Sequence, residues 1–328
     1  MQAIIYDQPG GPENLYLGTA PDPVLHNGQV LVHIAASALN RADLLQREGR
    51  YPPPKGASPI LGLEMAGTVI EVGEGVEDFE VGDNVCTLLN GGGYAQLAAV
   101  DQEMLLRLPR NLSFTKAAGI PEAFLTAYQA LHWIGKLQKG ETVLIHAGGS
   151  GVGTAAIQLV LLAGATPIIT ASASKHEYLQ ELGAASCIDY RTADFAEATL
   201  EYTQGEGANV VLDFVGGPYL EQNLKAMAKD GRMVSLAALG GARIENISLA
   251  PLLKKRLQIT GTTLRSRTQD YKKRLTADFR QHAWPHFANR KLMPVVDSIY
   301  DWEEVQNAHR YMASNANLGK IILAIGAN

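Results

Sequence analysis

At 328 residues the chain is too long for one ordinary core and predicts two domains. With 46% hydrophobic and 19% charged residues it has a globular composition, and a formal net charge of −5 leaves no overall footprint for nucleic acid or an anionic membrane. Its two cysteines, Cys86 and Cys187, exclude a four-cysteine zinc site and argue against a disulfide framework.

Met1-Gln-Ala-Ile-Ile-Tyr6 enters a strand pattern directly, with no basic region ahead of an apolar core, and the apolar runs fall short of a membrane span; a cytoplasmic protein is expected. Strands are predicted over 2–6, 29–36, 67–73 and 84–89, and the turn residues Gly28, Gly75 and Gly82 between them argue for a twisted β barrel. A helical segment carrying Ala42, Leu44 and Leu45 precedes the stiff Pro52-Pro53-Pro54. After about Pro121 the texture changes. A helix over 126–137 leads into strands at 142–146, 167–171, 187–189, 209–213, 232–236 and 257–262, interleaved with helices at 154–163, 175–182, 194–203 and 220–227. Such alternation predicts an α/β fold, a Rossmann-type doubly wound parallel sheet. The tail from 275 to 328 holds helices and a strand at 320–325 and returns to the first domain. The expected division is therefore a discontinuous domain of 1–123 with 265–328, and a dinucleotide-binding domain of 124–264.

Glu141 to Gly153 is the most informative stretch, because a strand, a glycine turn and a helix follow in that order. The backbone of Gly148, Gly149, Ser150, Gly151, Val152 and Gly153 is the expected cradle for a pyrophosphate at a helix N-terminus. Serine stands at the middle glycine of G-x-G-x-x-G, where Ser150 either bonds a phosphate oxygen or crowds its approach. Strand two runs into Thr170-Ala-Ser-Ala-Ser-Lys175 without the acidic residue that would bind the ribose hydroxyls of NAD. Hydroxyls and a lysine suit a 2′-phosphate, so NADPH is predicted, with Ser172, Ser174 and Lys175 as contacts and Tyr190 closing the same pocket.

Taken together, the chain resembles the zinc-free quinone oxidoreductase (zeta-crystallin-like) branch of the medium-chain dehydrogenase/reductase superfamily. The likeness runs over essentially the whole chain. It is carried by Pro9-Gly-Gly-Pro-Glu-Asn14, Ala38-Leu-Asn-Arg-Ala-Asp43, Gly62-Leu-Glu-Met-Ala-Gly67, Gly91-Gly-Gly-Tyr-Ala95, Ile120-Pro-Glu-Ala123, His146 to Gly153, Leu264-Arg-Ser-Arg267 and Asn317-Leu-Gly-Lys-Ile321. The resemblance implies a GroES-like catalytic domain and a homodimer joined through the Rossmann domains, with an edge strand at 257–262 able to pair with its twin. Zinc-dependent relatives place a cysteine near Asn40 and a histidine directly before Glu64. Here Asn40 and Leu63 stand there, and neither is a zinc ligand. Without a Lewis acid the chemistry is expected to be reduction of electron-poor acceptors rather than alcohol oxidation.

For the reaction, Asn40 either donates its amide to the nicotinamide region or the acceptor carbonyl, or forms a turn with its own backbone. Tyr51 either bonds the acceptor oxygen or packs against the nicotinamide ribose. Thr126 matches a family position near the nicotinamide, the alternative being an ordinary helix-start hydroxyl. By the same likeness Leu236, Leu239, Leu264, Ser266 and Lys320 approach the nicotinamide half. The expected activity is NADPH-dependent quinone reduction, with reduction of 2-enoyl thioesters or enones, or NADPH binding without turnover, as alternatives. The pair His282 and His286 and the basic residues Lys254, Lys255, Arg256, Lys272, Lys273 and Arg274 read as surface features, and Cys86 as a buried small hydrophobe.

Overall fold

The computed structural model describes residues 1–326; Ala327 and Asn328, the end of the predicted tail, lie outside the described residues. In chain order the strands are β1 Gln2–Ile5, β2 Tyr16–Thr19, β3 Gln29–Ala38, β4 Glu64–Val72, β5 Asn84–Leu88, β6 Leu97–Asp101 and β7 Leu105–Arg107, then β8 Thr142–Ile145, β9 Thr166–Thr170, β10 Ser186–Ile188, β11 Ala208–Asp213, β12 Met227–Ser235 and β13 Gln258–Gly261, and finally β14 Val296–Asp301 and β15 Lys320–Ala324. The α-helices are α1 Arg41–Arg47, α2 Phe114–Ala117, α3 Pro121–Tyr128, α4 Gly151–Leu162, α5 His176–Glu181, α6 Phe195–Tyr202, α7 Gly217–Ala226, α8 Ala250–Lys254, α9 Gln269–His282, α10 Pro285–Ala288 and α11 Val305–Ala313. Contacts divide the chain into one unit of Met1–Leu125 with the chain from Arg265 onward, and a second of Thr126–Leu264.

In the first unit a seven-stranded sheet runs β14-β15-β3-β4-β5-β7, with β6 also paired to β3. On β3 the residues Val30, Val32 and Ile34 are buried while His33 between them is exposed, the alternation of a strand with one face on a core. At its far end Ala36, Ser37 and Ala38 are all buried, because β15 and β4 flank them on both edges. Gly67 sits where β4 comes closest to β3: a Cβ there would stand 2.1 Å from the His33 carbonyl oxygen. Four strands escape the periodicity argument: β2, β6, β7 and β14. Each is three to six residues long and none carries a buried run longer than two.

The second unit is a six-stranded sheet of order β10-β9-β8-β11-β12-β13, parallel throughout. This is the doubly wound order, with the reversal between β8 and β11. Val143, Leu144 and Ile145 of β8 are buried, as expected of a central parallel strand covered on both faces. Leu144, Ile168, Val211 and Met233 pack with Phe195 and Leu224 into one core. Strand β13 ends the sheet with all four residues exposed.

The helix expected over 126–137 is corrected. It starts at Pro121, where a missing N–H costs nothing in the first turn, and passes at Gln129–Ile134 into a wider turn in which Gly135 N–H bonds the Ala130 carbonyl. Thr126 therefore lies inside α3, so its hydroxyl is not a helix-start group.

Candidate functional site

In the second unit the glycine turn hangs between β8 and α4. Gly148 N–H bonds the Thr170 carbonyl at 2.9 Å, fixing the turn to the end of β9. None of its glycines has a positive φ; that conformation falls to Ala147, at φ 50°. The glycines are required by space. A Cβ on Gly153 would stand 2.5 Å from the Ala147 carbonyl oxygen, and one on Gly148 2.7 Å from Ile169 Cβ. Ser150 is the N-cap of α4: its Oγ accepts Gly153 N–H at 3.0 Å, which leaves the hydroxyl proton to donate. The open choice at Ser150 thus gains a third answer, since the serine shapes the turn that holds the helix N-terminus. Gly151 and Val152 begin that helix and are half-buried.

Beneath this turn, buried His146 is held between two side chains. Asn223 Oδ1 can only accept, so His146 Nε2 carries the proton at 2.7 Å and Nδ1 accepts from the Thr170 hydroxyl at 3.0 Å. Burial pushes its pKa down to about 4, keeping it neutral. At the reversal point the Asp213 carboxylate accepts the N–H groups of Val215 and Gly216, closing the loop after β11. Gly216 adopts φ 88°, ψ −134°, a region open only to glycine. Asp213 is absent from the residues expected at the site, though Asp-Phe-Val-Gly-Gly after a strand is its signal.

Lys175 closes a short turn, its N–H bonding the Ser172 carbonyl at 2.9 Å. Its stem lies across the glycine turn, with Cδ 2.8 Å and Nζ 3.8 Å from the place a Gly149 Cβ would take. Ser172 is half-buried and Ser174 exposed beside it. Tyr190, exposed after β10, carries the Arg191 guanidinium over its ring at 5.7 Å. Leu236 and Leu239 follow β12 and bond back to the Asp213 and Phe214 carbonyls; Leu239 is exposed, and Leu264 is buried at the end of this unit.

The first unit carries a buried ionic network. Lys320 Nζ, on β15, donates to Glu64 Oε1 at 2.7 Å, Asn40 Oδ1 at 2.7 Å and the Leu39 carbonyl at 2.8 Å. Asn40 Nδ2 donates to Glu64 Oε1 at 2.8 Å, and Glu64 Oε2 accepts Glu122 N–H at 2.8 Å. Only one orientation of the Asn40 amide satisfies both neighbours, because the ammonium has no acceptor and the carboxylate no donor. This bears on two expectations. Asn40 directs its amide inward, its other contact being the Ala38 carbonyl at 3.4 Å, instead of offering it to cofactor or acceptor. Lys320, expected near the nicotinamide, has three protein acceptors for its three protons.

Asp43 shares the network. Its Oδ2 accepts Asn40 N–H at 2.8 Å and its Oδ1 Gly62 N–H at 2.9 Å, so α1 and the loop before β4 are locked together. Burial pushes its pKa up to about 6, against the pull of those N–H groups and of Lys320 and Arg265. Glu122, in the first turn of α3, has an enclosed Oε2 without a partner. Burial, followed by the Glu64 charge, pushes it up to about 7. Tyr51, half-buried, lies under the Arg265 guanidinium at 5.5 Å, and burial raises its pKa although Arg265 pulls it down. Ser266 follows, exposed. Thr126, which opens the second unit, has a buried hydroxyl with no hydrogen-bond partner. No role for Asp43, Glu64, Glu122 or Arg265 follows from the sequence alone. The Asn40-x-x-Asp43 spacing of a capping box is the available signal for the first.

The basic residues separate into unrelated roles. Lys255 Nζ bonds the carbonyls of Leu224, Lys225 and Met227, Arg256 pairs with Asp230, and Lys272 is buried against Asn90 and Arg265. Among the described residues no helix is long and apolar enough to cross a membrane.

Glu122→Gln provides a check on the network. A carboxyl raised from 4.5 to about 7 by folding contributes stability below pH 4.5 that is lost as the pH rises to 7. Relative to wild type, the variant is therefore expected to gain roughly 1 to 3 kcal/mol between pH 4.5 and 8 in urea unfolding. A difference that does not change with pH would show that Glu122 is not shifted.

Residues 26–110 match the alcohol dehydrogenase GroES-like domain, and residues 151–280 match zinc-binding dehydrogenase. The putative inactive phenolphthiocerol synthesis polyketide synthase type I Pks1 of Mycobacterium tuberculosis is 41% identical over 192 residues, covering 57% of this chain but 12% of that protein. The human synaptic vesicle membrane protein VAT-1 homolog is 39% identical over 193 residues, 57% of this chain and 49% of that protein. The chain thus matches at most about half the length of these curated relatives. Among solved structures, an NAD-dependent alcohol dehydrogenase superposes with a TM-score of 0.88 at 31% identity, covering 99% of this chain and 100% of that one. The CurK enoyl reductase gives 0.86 at 30%, and the quinone oxidoreductase of Coxiella burnetii 0.80 at 30%, each covering 99% of both chains.

The zinc implied by one family description does not fit the residues present. Among the described residues no three His, Cys, Asp or Glu side chains gather as a ligand set. More to the point, both Glu64 oxygens and the Asn40 carbonyl are already bonded, and the cation they face is the Lys320 ammonium.

Proposed function

The chain belongs to the medium-chain dehydrogenase/reductase superfamily, in its zinc-free branch, and from that premise we propose that it is an NADPH-dependent reductase of quinones. The observation that carries this reading is the closed Lys320–Glu64–Asn40 cluster. Those side chains are spent on one another, which leaves no donor set to hold a Lewis acid against an alkoxide and favours acceptors that need none. NADPH, when bound, supplies the hydride. The Gly148–Gly153 turn and the N-terminus of α4 would hold its pyrophosphate, and Lys175 with Ser172 and Ser174 its 2′-phosphate. Tyr51 hydrogen-bonds the acceptor oxygen as negative charge develops there.

Reduction of 2-enoyl thioesters is the second reading. It is favoured by the CurK enoyl reductase likeness and by the polyketide synthase match, and it uses the same oxygen-directed donor. Initial rates with 9,10-phenanthrenequinone, 1,4-benzoquinone and crotonyl thioesters, after exhaustive chelation, separate the two. Saturable quinone turnover that survives chelation supports the first reading, and turnover confined to thioesters replaces it by the second. Tyr51→Phe is expected to lower kcat by about ten- to a hundredfold with KM for NADPH within twofold. An unchanged rate would reduce Tyr51 to packing.

A further inference from the structure

Arg265 is 4% exposed, an unusual place for a guanidinium, and no carboxylate forms an ion pair with it among the described residues. Its Nε and Nη2 donate to the Asn90 carbonyl at 3.1 and 2.8 Å, and Nη2 also to Gln46 Oε1 at 2.6 Å. Lys272 Nζ ties its carbonyl down at 2.7 Å and bonds Asn90 Oδ1 as well. The guanidinium is therefore held by two acceptors, and the backbone that carries it by Lys272. Nη1 is enclosed without a hydrogen-bond partner, and Cζ stands 5.5 Å from the centre of the Tyr51 ring. Burying a cation without a counter-ion costs stability, and packing alone would be better served by an apolar side chain. The Asp43 and Glu122 carboxylates act on this cation without pairing with it, and the aromatic ring it stands over is that of Tyr51.

We propose that Arg265 is a positioning residue for acceptor reduction: its fixed charge over the Tyr51 ring strengthens the phenol as a hydrogen-bond donor to the acceptor oxygen. This rests on the reductase reading above. In that step the nicotinamide C–H bond breaks, and the hydride carries its electron pair to the acceptor. The cofactor is oxidised, and the acceptor oxygen is left with the negative charge. Water supplies the proton that completes reduction. A positive charge beside the phenol stabilises the shift of negative charge onto its oxygen, which makes the O–H a better donor. Other charges face the same group. Glu122, in the first turn of α3, opposes Arg265 at Tyr51; Asp43 on α1 and Lys272 on α9 act on Arg265 itself. At Tyr51 burial is the largest influence and raises the phenol, Arg265 follows and lowers it, and Glu122 comes after Arg265.

The test places 3,5-difluorotyrosine at position 51 of the full chain, so that the phenol titrates near neutrality and is read by ¹⁹F NMR without cofactor. Arg265→Gln is expected to raise that titration by about one pH unit, whereas Arg265→Lys, which keeps the charge, stays close to wild type. In steady state Arg265→Gln is expected to lower kcat with 9,10-phenanthrenequinone about tenfold, and less than twofold when Tyr51 is already Phe. An unmoved titration in Arg265→Gln, or the same tenfold loss without the Tyr51 hydroxyl, would overturn the proposal. If Arg265→Gln does not fold, Arg265→Met, which removes the charge without adding an unpaired polar group, takes its place: a titration raised by about one unit supports the proposal and an unmoved one overturns it. Absence of both quinone and thioester turnover in wild type would sink the reductase reading instead, and the NMR titration would still decide Arg265.

Discussion

Lys320→Met is expected to destabilise the protein by about 3 to 5 kcal/mol, a large part of the 5 to 15 kcal/mol available to a typical domain. The ammonium donates to three acceptors in a fully buried setting, so its removal leaves Glu64 charged and uncompensated and strips the Asn40 carbonyl and the Leu39 carbonyl of their donor. Urea unfolding of the protein without cofactor measures this directly. Glu64→Gln should fall in the same range, because it leaves the buried cation unpaired. In the double variant Lys320→Met/Glu64→Gln, where neither charge remains, much of the loss should return, so the two single effects should not add. A lysine that serves only as a cofactor contact behaves otherwise. Its loss would leave unfolding of the cofactor-free protein within about 0.5 kcal/mol of wild type and raise KM for the dinucleotide alone. That result would restore the role expected of Lys320 from family likeness, and it would return Glu64 and Asn40 to the pool of side chains free to hold a cation.

The legibility of this chain differs between its halves for a physical reason. The parallel sheet is readable because each central strand is buried on both faces, so Thr142–Ile145 announces itself over a few residues, and Gly151–Leu162, buried at every position from Gly153 to Val160, does so by its apolar length after the glycine turn. The glycine turn is readable for a similar reason. A Cβ at Gly148 or Gly153 would meet Ile169 or a backbone oxygen, and that local demand is written in local sequence. The ionic network has no such signature. Asn40, Glu64, Glu122 and Lys320 come from four separate stretches, and only pairing of β15 with β3 and of β3 with β4 brings them together. A lone buried lysine 280 residues away from its asparagine leaves no spacing to recognise. Thr126 shows the opposite failure. The sequence pattern sets its helix five residues late because Pro121 reads as an end of the preceding domain, when proline equally suits the first turn of a helix.

Lys175→Ala is expected to raise KM for NADPH by roughly 10- to 100-fold while NADH changes less than twofold. One charge-assisted hydrogen bond to a phosphate contributes about 1.5 to 3 kcal/mol, and each 1.4 kcal/mol is a factor of ten. The selectivity follows from position. The side chain lies over Gly149 and starts one turn beyond the end of β9, where a ribose-binding carboxylate would otherwise stand. Ser172 and Ser174 precede it in the same short turn. Neither repels a phosphate, and both can donate. The test is sharpened by Gly149→Ala, whose Cβ would press on Lys175 Cδ and push the stem aside without removing the charge. If position matters as well as charge, Gly149→Ala should also favour NADH relative to wild type, though less than Lys175→Ala. Equal losses for both cofactors in Lys175→Ala would place the ammonium at the pyrophosphate, which the two dinucleotides share. No loss for either would leave Lys175 as a cover for the glycine turn, and the choice of NADPH would then have to come from Tyr190 and the Arg191 stacked on it.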